Sequence, residues 1–200
     1  MLVAFEGIDG SGKATQIKRI AGHLRLRGRK TAVLAYPDMN GPLGRPIGDL
    51  VHGELALGAE SQFFLFLADI ARDQERLREV MESHDVVILD RYCFSTIAYQ
   101  KCKGMDWKRA LELVKSAKLI APDIVLLLDV DARTANSRKE AQRALDAFES
   151  DPVFQENVRK AFRSLAGKKF LARRWRVVDA SGTPEEMFEQ VRAEVDNLIK

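Results

Sequence analysis

The chain has 200 residues, 46% of them hydrophobic and 30% charged, which fits one globular domain. Its net charge of +3, from 32 basic against 29 acidic residues, gives no reason to expect nucleic acid or a membrane surface as a partner and suits an enzyme of small anions equally well. Cys93 and Cys102 lack C-x-x-C spacing and so suggest no zinc site; two free thiols and no signal sequence predict a reducing cytoplasm.

LVAF (2–5) reads as a short buried strand that runs into a glycine-rich turn. Ile17, Ile20, Ala21 and Leu24 follow at helical spacing, and Gly28 stops that helix. TAVLAY (31–36) predicts a second strand, ended by Pro37. Residues 38–58 read as loop with a short helix. A single long helix is predicted from about Ser61 to Ser83, apolar all round and deeply buried at FFLFLA (63–68). DVVILD (85–90) and DIVLLLDV (123–130) are apolar throughout their interiors, the mark of parallel strands covered on both faces. A helix is expected near 106–119, and helical structure with a charged break near 139–147 over 131–165. WRVVDA (175–180) predicts a fifth strand. The closing helix, 183–199, carries Thr183 as N-cap, Pro184 at its first position and Glu186 to complete a capping box. His23, His52 and His84 are scattered and are given no chemical role. This alternation predicts an α/β fold: a three-layer sandwich with a five-stranded parallel sheet, helices on both faces and ligands beyond the carboxyl ends of the strands.

Two motifs fall at those ends. GIDGSGKA (7–14) matches the phosphate-binding loop G-x-x-x-x-G-K-[S/T] at every position but the last, where Ala14 stands and Thr15 follows. Gly7, Gly10 and Gly12 permit the turns, while Ile8, Asp9 and Ser11 complete a loop whose N–H groups cradle anions. Lys13 supplies a point charge for outer phosphates. The second motif, LDRYCFSTIAYQ (89–100), puts Asp90 and Arg91 at the end of the third strand. There Arg91 can offer a bidentate fork to a phosphate, and Asp90 can sit near a metal ion.

FEGIDGSGKATQ, LDRYCFSTIAY and VVDAS (177–181), in that order along nearly the whole chain, resemble the thymidylate kinase family of P-loop nucleoside monophosphate kinases. The resemblance implies a single kinase domain with a small mobile lid at about 137–150, and transfer of the γ-phosphoryl of ATP, with Mg2+, to thymidine monophosphate. It implies that residues 7–15 hold ATP and that Lys13 binds its phosphates. Asp9 would hold the acceptor's 3′-hydroxyl and Arg91 its phosphate. Tyr99 would lie against the deoxyribose, Phe66 would stack on thymine, and Ser95 and Thr96 would lie at or near the base. Tyr36, at the end of the second strand, joins the acceptor site. Asp90 would meet Mg2+ through water. Because position 10 is Gly, the catalytic arginine would come from the lid, Arg143 first and Arg138 second. Phe148, Glu149 and Gln155 resemble the lid and the helix after it. Family members commonly form homodimers through helices.

The chain departs from the family pattern at three places. Ala14 cannot ligate a metal. Met39 stands where an Arg or Tyr often reaches the acceptor phosphate, with Arg45 as a substitute from the loop. Ile70 replaces the arginine of Ala-Asp-Arg; Arg72, two residues on, projects about 160° away around the helix. Two other readings therefore stand beside thymidylate kinase: a kinase of another nucleoside monophosphate, and a nucleotide-binding regulatory protein without transfer activity.

Overall fold

The computed structural model describes residues 1–140 and 151–199. The described chain begins β1 (Leu2–Glu6), α1 (Lys13–Leu26), β2 (Thr31–Ala35), α2 (Gly44–Val51), α3 (Ala59–Arg72) and α4 (Gln74–Ser83). It continues with β3 (Val86–Asp90), α5 (Cys93–Cys102), α6 (Trp107–Ser116) and β4 (Ile124–Asp129). The last elements are α7 (Ala132–Glu140), α8 (Pro152–Gly167), β5 (Arg174–Asp179) and α9 (Pro184–Ile199). Among the described residues no helix is long and apolar enough to cross a membrane.

The five strands form one parallel sheet in the order β2-β3-β1-β4-β5. The apolar runs of β1, β3 and β4 are buried in the middle, whereas β2 and β5 are partly exposed edges. Each fully buried Leu, Ile, Val or Phe there contributes roughly 1.5–3 kcal/mol. Helix α1 packs on β1, β2, β3 and α9, and α9 packs on β5. Helix α4 packs on β3 and α8 on β4 and β5, while α5 is held by α3, α6 and α8. The capping box forms as expected: Glu186 N–H donates to Thr183 Oγ1 at 3.2 Å, and Thr183 N–H donates to Glu186 Oε2 at 2.8 Å.

The expected long helix is two helices, α3 and α4, broken at Asp73. Asp73 is buried and is pinned from another element: Tyr36 donates its hydroxyl proton to Asp73 Oδ2 at 2.9 Å. Nor is FFLFLA buried all round. Phe63 and Leu67 enter the core, Phe64 is 43% exposed, and Phe66 faces a cleft.

Register sets the edge of that cleft. Phe5 pairs with Asp90, and Asp90 pairs with Ala35. Arg91 N–H donates to the Phe5 carbonyl at 3.0 Å and Tyr36 N–H to the Asp90 carbonyl at 3.0 Å. The chain therefore leaves β1, β2 and β3 side by side, at a point where strand order switches around β1.

Candidate active site

The loop after β1 needs its glycines. Gly10 has φ 79°, and a Cβ there would lie 2.3 Å from the Ala135 carbonyl oxygen of α7. Gly7, at φ 146°, would meet the Leu128 carbonyl oxygen at 2.6 Å. The loop ends on Gly12, the left-handed N-cap of α1, so the N–H groups and positive dipole end of that helix open onto the loop. Lys13 is buried and folds back over it, donating to the Gly7 and Ile8 carbonyls at 2.9 Å each. Burial, and then the neighbouring Arg91 charge, lower its pKa to about 8. Ala14 and Thr15 are exposed on the first turn of α1.

Arg91 leaves β3 with φ 67°, a conformation that costs a residue with a side chain about 1–2 kcal/mol. That turn swings its guanidinium over the loop. It donates to the Gly7 carbonyl at 3.2 Å and to Ser95 Oγ at 3.1 Å, and it pairs with Asp9 Oδ1. Tyr99 donates to the other carboxylate oxygen, Asp9 Oδ2, at 2.8 Å. Burial opposes the Arg91 charge, but Asp9 and the other surrounding groups outweigh it and hold the guanidinium protonated. Burial, and then the Asp9 charge, push the Tyr99 phenol up.

Beneath this array lies Glu6, fully buried at the end of β1. Its Oε1 accepts from Tyr92 N–H at 2.8 Å and its Oε2 from the Ser95 hydroxyl at 2.6 Å. Burial raises its pKa to about 7 against the lowering effects of Ser95 and Arg91. The sequence reading passed over Glu6. The available signal was a carboxylate closing an apolar strand directly before the glycine turn, a place where burial demands partners.

A cleft of about 260 Å³ opens from Asp9 and Arg91. Tyr36, Phe66, Ser95, Thr96 and Tyr99 line it, as does Gln155 of α8. Arg45 does not: it is exposed on the first turn of α2. Met39 is 48% exposed. Ile70 lines the wall, while the Arg72 guanidinium is held by Asp38 and Asp69 at 3.5 Å each, so it does not take the place of an arginine at position 70. Gln100 and Lys103 are polar lining residues that the sequence reading did not single out. Gln100 is buried, and its Oε1 has no hydrogen-bond partner among the described residues. Arg143, most of the expected lid, and Phe148 and Glu149 lie outside the described residues. Arg138 is within them, and its guanidinium donates to the carbonyls of Ala180, Ser181 and Gly182 at 2.7, 3.1 and 2.9 Å.

An anion cradle with a lysine thus lies beside a cleft that presents an arginine, a carboxylate and aromatic walls. The sequence profile of the family described as Thymidylate kinase matches residues 5–191. A thymidylate kinase of Desulfovibrio desulfuricans is 35% identical over 216 residues, spanning 100% of this chain and 97% of that one. One from Bifidobacterium longum subsp. infantis is 33% identical over 211 residues, spanning 100% and 88%. A probable thymidylate kinase of Archaeoglobus fulgidus is 35% identical over 200 residues, spanning 100% and 96%. Fold and full-length similarity agree, and the chain belongs to the thymidylate kinase family.

Proposed function

We propose that the protein transfers the γ-phosphoryl group of ATP to thymidine monophosphate, giving ADP and thymidine diphosphate. The observation that carries this reading is the meeting of Arg91, Asp9 and Tyr99 at the mouth of the cleft, directly beside the Gly7–Thr15 loop. ATP phosphates occupy the loop, with Lys13 turned toward them. The acceptor lies in the cleft, its phosphate on Arg91, its sugar between Asp9 and Tyr99, and its base against Phe66. An acceptor phosphate oxygen, already anionic, attacks the γ-phosphorus as the bond to the β-phosphate oxygen breaks. No general base is required, and positioning and charge neutralisation carry the step. Arg143 supplies the lid's positive charge in this scheme.

Magnesium fits this site as an ion carried by the nucleotide. Position 14 offers a methyl group, and among the described residues no three His, Cys, Asp or Glu side chains gather as a metal cage. Asp90, at the end of β3 and near enough to Lys13 to act on its charge, is the hard oxygen donor that would hold such an ion through water. When bound, the ion neutralises phosphate charge. Exposed Phe64 on α3 is compatible with a homodimer through helices, and two free cysteines suit a cytoplasmic protein.

The test is a coupled assay for ADP with Mg-ATP, with and without thymidine monophosphate. ADP formed only with the acceptor is expected. Equal ADP without acceptor, or none with it, would overturn the reading. The apolar Ile70 in the cleft wall favours one second reading, a kinase of another monophosphate. Its mark is faster turnover of a different nucleotide in a panel that includes deoxycytidine and deoxyuridine monophosphates.

A further inference from the structure

Glu6 ends the middle strand of the sheet, where its backbone pairs with Leu127 of β4 and its side chain is fully buried. A carboxylate so placed must be met by donors. Both donors come from the segment that aims Arg91. Arg91 N–H still follows the ladder and donates to the Phe5 carbonyl at 3.0 Å. The left-handed turn at Arg91 then breaks the ladder, and the next N–H, that of Tyr92, meets Glu6 Oε1 at 2.8 Å. Tyr92 is the N-cap of α5 and makes no side-chain cap of its own. The Glu6 carboxylate thus stands at the positive end of α5, supplied to that helix by a strand 86 residues away.

The second carboxylate oxygen reaches the guanidinium through one hydroxyl. Ser95, in the first turn of α5, donates to Glu6 Oε2 at 2.6 Å, and the same Oγ accepts from Arg91 Nη1 at 3.1 Å. A hydroxyl has one proton and two lone pairs, so committing the proton to Glu6 turns a lone pair toward Arg91. Nη1 also donates to the carbonyl of Gly7, the residue after Glu6, at 3.2 Å. The two ends of the fork therefore differ. Nη1 is tied to the centre of the sheet, whereas Nη2 faces the loop carboxylate of Asp9 at the mouth of the cleft.

We propose that Glu6 is a positioning residue for the acceptor phosphate: through Tyr92 N–H and the Ser95 hydroxyl it holds the Arg91 fork at the angle at which the phosphate meets it. The inference rests on the acceptor placement above. A carboxylate suits this place because it offers two acceptor oxygens to two donors. Glutamine, with the same shape, offers one oxygen and one amino group. With its oxygen on Tyr92 N–H, its amino group faces Ser95, and the hydroxyl proton loses its acceptor. With its oxygen on Ser95, two N–H groups face each other at the turn. Either way one of the two ties is lost, so Arg91 keeps its charge and loses its aim.

The experiment measures steady-state kinetics toward each substrate, with thermal melts, for the unmutated protein, Glu6→Gln, Ser95→Ala, Ser95→Thr and Glu6→Gln combined with Arg91→Lys. Glu6→Gln is expected to lower kcat/KM for thymidine monophosphate at least ~10-fold. KM for ATP should stay within about 3-fold, since Lys13 is held by the Gly7 and Ile8 carbonyls and not by the relay. Ser95→Ala should reproduce the loss, and Ser95→Thr, which keeps the hydroxyl, should restore most of it. The Ser95 pair leaves the buried carboxylate untouched and carries the test even where Glu6→Gln does not fold. In the Arg91→Lys background Glu6→Gln should lose less than about 3-fold more, because no fork remains to be aimed. Unchanged acceptor kinetics, an equal loss toward ATP and acceptor, or a full additional loss in the Arg91→Lys background would overturn the proposal and leave Glu6 as a cap of α5 alone. No turnover of thymidine monophosphate by the unmutated protein would instead overturn the acceptor reading on which it rests.

Discussion

Arg91 and Asp9, from motifs 82 residues apart, form an ion pair across the mouth of the cleft. The Asp9 carboxylate is shared, one oxygen taken by Arg91 and the other by Tyr99. The Arg91 charge is therefore balanced from within the protein. In the proposed acceptor placement, an arriving phosphate would compete with Asp9 for this guanidinium, exchanging one charge-assisted bond for another. Ser95 and Glu6 hold the far side of that guanidinium and its helix during the exchange.

Arg91→Lys tests the fork. Both residues occupy the same left-handed backbone position, so the substitution changes the side chain and not the strain. A single ammonium cannot span Gly7, Ser95, Asp9 and a phosphate. A loss of at least ~10-fold in kcat/KM, about 1.4 kcal/mol, is expected with an unaltered melt. Kinetics equal to the unmutated protein would remove Arg91 from the phosphate site.

The Tyr99 ring is fixed by Phe154 and Phe162, with centroids at 6.2 and 6.3 Å, and stands under the Arg91 guanidinium. In the proposed acceptor placement such a ring would set a hard wall against the sugar. Tyr99→Phe keeps the wall and loses the bond to Asp9, so it should retain most of the preference for deoxyribose over ribose acceptors. Equal rates on thymidine monophosphate and its ribose counterpart in the unmutated protein would show that the ring excludes nothing.

Lys13 gives a pH dependence whose sign is fixed. Its folded-state pKa, depressed to about 8, means the ammonium is partly discharged above that pH when no nucleotide is present. Phosphates favour the charged form, so binding at pH 8.5 should take up protons, and affinity for ATP should fall as pH rises through 8. Calorimetry in two buffers of different ionisation enthalpy reads the uptake directly. Proton release, or affinity flat to pH 9.5, would contradict the assignment. The same shift makes folding stability rise with pH between about 8 and the ordinary lysine value.

Ala14 sits exposed where a hydroxyl ligand is usual in this loop. Magnesium keeps several waters and draws much of its hold from phosphates, so one neutral ligand replaced by water costs about 1 kcal/mol. Activity should be strictly metal-dependent, and Ala14→Ser should change the magnesium concentration for half-maximal rate by less than ~10-fold. Turnover without divalent metal, or turnover in the Ser variant alone, would refute this.

Strands were legible because a buried parallel strand must be apolar along its whole length, as VVIL and IVLLL are. The two phosphate motifs were legible because glycine and a strand-end arginine carry their chemistry locally. The break between α3 and α4 was not, because its cause is Tyr36 reaching Asp73 from 37 residues away. Phe66 could not be told from a core residue by composition, since Phe63, Phe64 and Phe66 differ only in which way they point. Gln100 and Lys103 escaped for the same reason; the four-residue spacing from Ser95 through Tyr99 reaches Lys103, but only α3 across the cleft gives that face a meaning. Arg45 has the right charge, yet α2 turns it outward.

The contact of Gly10 with Ala135 also limits how this sequence can change. Any side chain at position 10 runs into the backbone of α7, 2.3 Å from where its first carbon would stand. An arginine there would have to wait for α7 to retreat, and α7 is anchored by Arg138 to the carbonyls of 180–182. Placing an arginine at position 10 is thus closed to single substitutions. A lineage with this packing keeps its glycine there until the helix and its anchor shift together.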